Sequence, residues 1–231
     1  MSAPIAARPA LAEAVGTFVL VLAGTGAIVG NDVSGGALGQ LGVALVFGLV
    51  VMAMICALGD VSGAHLNPAV TLAFVAARRF PAARAPLYVV AQLAGALAAS
   101  LLLRALFPAH PTLGATQPAG PAWHSLVLEG VLTFVLMLVI LRVSAGARET
   151  GLLAAAAIGA TVGLEALFAG PICGASMNPA RSLAPAIVAG VWTHAWIYVV
   201  APLVGALAAV PACRAVAAEG CCGGACAEPA R

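Results

Sequence analysis

The tripeptide Asn-Pro-Ala occurs twice, as Asn67-Pro68-Ala69 within SGAHLNPAVTLAF and as Asn178-Pro179-Ala180 within CGASMNPARSLAP. Each copy follows a run of small residues and opens an apolar segment too short to cross a membrane. Proline is tolerated in the first turn of a helix, where its missing N–H would have had no partner. Asparagine just before it is a good N-cap. Both motifs therefore predict half-helix N-termini, with orphan N–H groups and the positive dipole end aimed at a target. One such tripeptide is easily a chance cap; two in matching places of a duplicated chain are not. The chemistry on offer is hydrogen-bond donation to a passing neutral solute by the Asn67 and Asn178 amides. The dipole ends, roughly half a charge each, repel protons and cations.

The elements that hold these motifs are legible in the composition. Of 231 residues, 63% are hydrophobic and 8% charged, and the mean hydropathy is +1.09. A soluble core cannot absorb so much apolar surface, so the partner is a lipid bilayer. All ten basic residues are Arg, and they form no stripe with interleaved aromatics, which excludes nucleic acid. The four His are scattered with no nucleophile–base pair, so an enzyme is not expected, and neither is a cofactor or a metal in the pore.

Six apolar runs are long enough to span: Leu11–Val29, Leu41–Leu58, Leu87–Phe107, Ser125–Val143, Leu152–Phe168 and Trp196–Val216. The first is too long for a signal peptide's apolar region. The Asn-Pro-Ala segments fall after the second and fifth runs. YVVAQLAGALAAS from Tyr88 matches YVVAPLVGALAAV from Tyr198 at ten of thirteen places, offset by 110 residues. Asn67 and Asn178 are 111 apart, and Glu13 with Thr17-Phe18 corresponds to Glu129 with Thr133-Phe134. Three spans per repeat is an odd number, so the second copy must be inverted in the membrane. The expected fold is an all-α membrane protein with six transmembrane helices and two re-entrant half-helices. Its parts are an N-terminal segment 1–9, a channel domain 10–216 with repeats 10–107 and 123–216, and a cysteine-rich tail 217–231.

Arg8, Arg78, Arg79, Arg84, Arg142, Arg148, Arg214 and Arg231 share one side if both termini do, and that side is predicted to be cytoplasmic. Arg104 maps to the other face and Arg181 to the membrane interior.

Six spans, a duplicated Asn-Pro-Ala and an Arg directly after the second copy resemble the major intrinsic proteins, the aquaporins and aquaglyceroporins. The resemblance covers about residues 10–216. It implies a passive channel for water and small uncharged solutes, excluding protons and ions, assembled as a homotetramer. It implies that Glu13 and Glu129 anchor the re-entrant loops through backbone N–H groups. It places a selectivity filter at Phe47, Ala166, Ala175 and Arg181, with Arg181 donating to solute oxygens and opposing cations. His65, Gly174 and Ser176 are implied to line the pore; for His65, packing against its loop is an equal reading. Water-selective members usually carry His where Ala166 stands. Its absence here implies a wider, partly apolar constriction suited to polyols or hydroxylated acids. GPAWHSLVLEG from Gly120 and LFAGPICGASMNPARSLAPA from Leu167 look like the nodulin-26-like subgroup and its bacterial relatives. That subgroup is linked to glycerol and to boric, silicic and arsenous acids, and a bacterial inner membrane is the location expected.

Glu165 admits three readings: it orients Arg181, caps the second loop, or faces a neighbouring subunit. The tail is either a solvated end or, through Cys221, Cys222 and Cys226, a site for a soft, thiophilic ion. Three rival functions stand beside the main one: a strictly water-selective pore, an ion-coupled transporter, which can share inverted repeats, and a junctional or sensor protein that keeps the fold but is closed.

Overall fold

The computed structural model describes residues 7–144 and 152–216. Every regular element among them is helical. Six are long: α1 (Ala7–Val33), α2 (Gly39–Ser62), α4 (Ala85–Leu106), α5 (Ala122–Val143), α6 (Leu152–Cys173) and α8 (Ile197–Val216). Two are short, α3 (Pro68–Ala76) and α7 (Pro179–Ala189). The six long helices have the length and hydropathy of membrane spans. Their outward faces are apolar: Leu11, Leu45, Leu49, Val90, Leu101 and Val204 are exposed. The buried set, by contrast, includes Glu13, Gln92, Glu129, Glu165 and Arg181. This is an inside-out pattern, and it fits a protein whose solvent is lipid and whose polar groups face a bundle interior.

Three helices run further at their C-terminal ends than their hydropathy suggests, α2 among them, which reaches Ser62. α1 continues to Val33, where the Asn31 Oδ1 accepts from the Gly39 N–H at 2.8 Å and ties the turn to the start of α2. α6 continues through Pro171 to Cys173. A proline so near a helix end removes one intrahelical bond and leaves the rest intact.

The halves correspond element by element, α1–α4 with α5–α8. Within each half the first and last helices pack together, α1 on α4 and α5 on α8, while α2 packs on α6 across the halves. Glycines allow these approaches. A Cβ on Gly95 would collide with the Ala14 carbonyl, and one on Gly205 with that of Gly130, at equivalent places in the two repeats. Gly48 and Gly159 meet in the same way between α2 and α6. Each half-helix crosses into the other repeat: α3 lies on α8, α7 lies on α4 and α1, and α3 and α7 meet end to end.

Candidate functional site: a pore between two half-helices

Asn67 and Asn178 stand at the meeting point of α3 and α7. Both take extended backbone and cap their own helices. The Asn67 Oδ1 accepts from the Ala69 N–H at 2.9 Å, and the Asn178 Oδ1 from the Ala180 N–H at 3.0 Å. Pro68 and Pro179 occupy the first helical positions. Each asparagine also reaches the opposite loop. Asn67 Nδ2 donates to the Met177 carbonyl at 2.8 Å, and Asn178 Nδ2 donates to the Leu66 carbonyl at 2.8 Å. An amide NH₂ has two hydrogens. One is used in this exchange, and the other is left for the cavity that both residues line.

The loops ahead of the caps are strained in the same way. Ala64 and Leu66 have φ of 45° and 51°; Ala175 and Met177, at equivalent positions, have 41° and 54°. Left-handed backbone costs an ordinary residue about 1–2 kcal/mol, so something must hold it there. Glu13 and Glu129 do so. The Glu129 carboxylate accepts the Ser176 and Met177 N–H groups, both at 2.8 Å. The Glu13 carboxylate accepts the His65 and Leu66 N–H groups at 2.9 and 2.7 Å, plus the Ser62 hydroxyl at 2.7 Å and the Gln92 amide at 2.8 Å. Tyr88 and Tyr198 brace the entrances to the loops by donating to the Ser62 and Cys173 carbonyls at 2.9 and 2.7 Å. The sequence reading passed over Gln92, Ser62 and both tyrosines, although the matched stretches from Tyr88 and Tyr198 carried the signal.

Two cavities meet at Phe47 and Arg181, two of the residues expected to form the filter. One, of about 700 Å³, is lined by His65, Asn67, Ala175, Ser176 and Asn178 and reaches Asp60 and Ser144. The other, of about 300 Å³, is lined by Asp32, Gln40, Gly114, Thr116, Ala166 and Gly174. The residues common to both are Phe47 and Arg181. The Arg181 guanidinium carbon lies 5.1 Å from the Phe47 ring centroid, and its Nη1 donates to the Gly114 carbonyl at 2.9 Å. Thr116, from the same loop as Gly114, donates to Ser182 at 2.8 Å and fixes the start of α7. Ser182 in turn bonds Ser176. The anchoring of Arg181 by the 107–121 loop left no trace in the sequence reading, because Gly114 contributes only a carbonyl.

His65 combines both of its readings. It lines the larger cavity, and it is held by Thr71 at 3.1 Å and by a stacked Phe74 ring at 4.7 Å. None of the three readings of Glu165 survives. It is buried, so it faces no neighbouring subunit. Its Oε2 has no hydrogen-bond partner, and the Ser176 and Met177 N–H groups of the second loop belong to Glu129. Nothing in the structure explains its acid. Cys221, Cys222 and Cys226 lie outside the described residues, and among the described residues no group of His, Cys, Asp and Glu is arranged for a metal ion.

The family model for major intrinsic proteins matches residues 1–212. The chain belongs to the major intrinsic protein family. Among its relatives, Aquaporin NIP1-3 of Oryza sativa subsp. japonica is 49% identical over 203 residues, covering 87% of this chain and 71% of the relative. Aquaporin NIP1-1 of Zea mays is 50% identical over 199 residues, covering 86% and 71%. The aquaglyceroporin from Plasmodium falciparum superposes with a TM-score of 0.82 at 26% identity, covering 89% of this chain and 94% of that one. The protein is thus a multi-pass integral membrane channel for water and small uncharged solutes. The two relatives are nodulin-26-like aquaporins, the subgroup expected from the Gly120 and Leu167 stretches. Both are plant proteins, and they lend no support to a bacterial inner membrane.

Proposed function

We propose that this major intrinsic protein is a wide-filter channel that conducts glycerol-like polyols and neutral hydroxylated metalloid acids together with water. The observation that carries this is the pair of cavities meeting at Phe47 and Arg181, with alanines at 166 and 175 beside them. Two methyl side chains leave room that an imidazole at 166 would fill. The Phe47 ring offers an apolar wall and the Arg181 guanidinium a set of donors, so a solute with a carbon face and a hydroxyl face suits the gap. Asn67 and Asn178 then pass solute oxygens along with their free amide hydrogens. The facing dipoles of α3 and α7 and the charge of Arg181 oppose cations and protons.

The larger cavity is the inner mouth and the smaller the outer. Arg79 supports this orientation by donating to the Leu141 carbonyl at 2.7 Å, and Arg214 by reaching the Ala76 carbonyl at 3.4 Å. Both sit on the side of the larger cavity, where the positive-inside rule places the cytoplasm. Both termini are then cytoplasmic. A homotetramer with one pore per subunit is the assembly we propose; the detergent-corrected mass from light scattering tests it, and a monomeric mass counts against it.

The test of function is glycerol uptake into proteoliposomes with and without an ion gradient. Equal uptake in both supports a passive pore. Uptake that needs the gradient favours ion-coupled transport instead.

A further inference from the structure

We propose that His110 is a positioning residue for the filter, holding Arg181 through the 107–121 loop, and that protonating it from the outer side weakens that hold. The inference rests on the channel reading above.

The His110 ring is almost wholly buried at the top of the loop that follows α4. Its Nδ1 faces two backbone donors, the Leu113 N–H at 3.0 Å and the Thr112 N–H at 3.4 Å. A nitrogen that accepts from N–H groups carries no proton of its own, so the proton of the neutral ring is on Nε2. Nε2 lies 3.2 Å from the Asp32 Oδ2 at the end of α1 and donates to it. Two charged groups therefore face His110: Asp32 from α1, and Arg104 from α4. The Arg104 guanidinium donates to the Pro108 and His110 carbonyls at 2.9 Å and reaches the Val188 carbonyl of α7 at 3.5 Å.

The residues tied to Nδ1 are the ones that need tying. Leu113 is buried with φ 51°, a left-handed conformation that a residue with a Cβ does not adopt unaided. Gly114 follows at φ 72°, pressed against the Thr25 backbone, and its carbonyl is the acceptor for Arg181 Nη1. Arg181 Nε has no partner, and its Nη1 is held by the Gly114 carbonyl. A proton added to Nδ1 would point at the Leu113 and Thr112 N–H groups. Both would lose their acceptor. The strained Leu113-Gly114 turn then relaxes, the Gly114 carbonyl leaves Arg181, and the released guanidinium leans into the lane beside Phe47 in search of acceptors. Glycerol, the bulkier solute, is obstructed before water.

The experiment measures glycerol and water flux in proteoliposomes at about pH 7.5 and about pH 5 on the outer side, a range in which imidazoles titrate. The natural protein should lose several-fold of its glycerol flux at the acid pH and less of its water flux. His110→Asn keeps an acceptor for the Leu113 N–H but cannot titrate there, so its glycerol flux should be the same at both pH values. An equal acid loss in His110→Asn, or no acid loss in the natural protein, overturns the inference and leaves the channel reading standing. Absence of glycerol flux at every pH overturns the channel reading, and this inference with it.

Discussion

Asn67 donates its side-chain amide to the carbonyl of Met177, 110 residues away and in the opposite repeat, at 2.8 Å. Asn178 returns the bond to Leu66. The duplicated motif is thus a clasp as well as a pair of caps, and the two half-helices are locked end to end beside the cavity that both asparagines line. Asn67→Asp separates the two roles. The carboxylate keeps the cap on Ala69 but presents an oxygen to the Met177 carbonyl. Stranding that buried carbonyl costs about 1–3 kcal/mol. We expect a lower melting temperature in detergent together with reduced glycerol flux. A variant with unchanged melting would show that the clasp contributes nothing.

The two loop anchors should differ in tolerance. Glu129→Gln turns an NH₂ toward either the Ser176 or the Met177 N–H, and its remaining neighbour, the Cys173 thiol, is only a weak acceptor. Glu13→Gln faces the same conflict, but Gln92 donates to Glu13 and has a buried Oε1 without a partner. Flipping the Gln92 amide supplies the missing acceptor. Glu129→Gln should therefore be the more destabilising by about 1 kcal/mol or more, the scale of one hydrogen bond. Thermal unfolding of both variants in the same detergent checks this, and the reverse order would contradict it.

The glycine contacts give a third contrast. Gly95→Ala drives a methyl into the Ala14 backbone, and overpacking of this kind costs typically about 1–3 kcal/mol. At Gly163 an added Cβ meets the Ala44 carbonyl at 3.5 Å, an ordinary contact. There the helix propensity gained, about 1 kcal/mol, should dominate. Monodisperse yield on size exclusion should fall for Gly95→Ala and hold for Gly163→Ala. Equal yields would show that the α1–α4 approach is softer than the structure implies.

The architecture was legible because a membrane leaves few options. Runs of twenty apolar residues must be helices, and the match of Tyr88 with Tyr198 and of Asn67 with Asn178 makes the repeat visible in the chain itself. Helix ends were less clear, since hydropathy stops at Phe168 while hydrogen bonding carries α6 to Cys173. Residues that act through side chains of unusual type stood out: Glu13, Glu129 and Arg181 are charges in an apolar chain. What stayed hidden were the groups that act through backbone, namely the carbonyls of Leu66, Met177 and Gly114. Any residue can supply a carbonyl, so no residue type announces one. Glu165 is the reverse case, a conspicuous residue whose buried Oε2 has no partner.

The account stands most directly on the alanines beside Phe47 and Arg181. Water, glycerol and arsenous acid fluxes should be measured side by side in proteoliposomes for the natural protein and for Ala166→His. The natural channel should pass all three. The imidazole, filling the space next to Arg181, should cut glycerol and arsenous acid flux by an order of magnitude while water flux falls by much less. A natural protein that passes water alone, or an Ala166→His variant that loses all three equally, would contradict the placement of the filter and the solute class it implies.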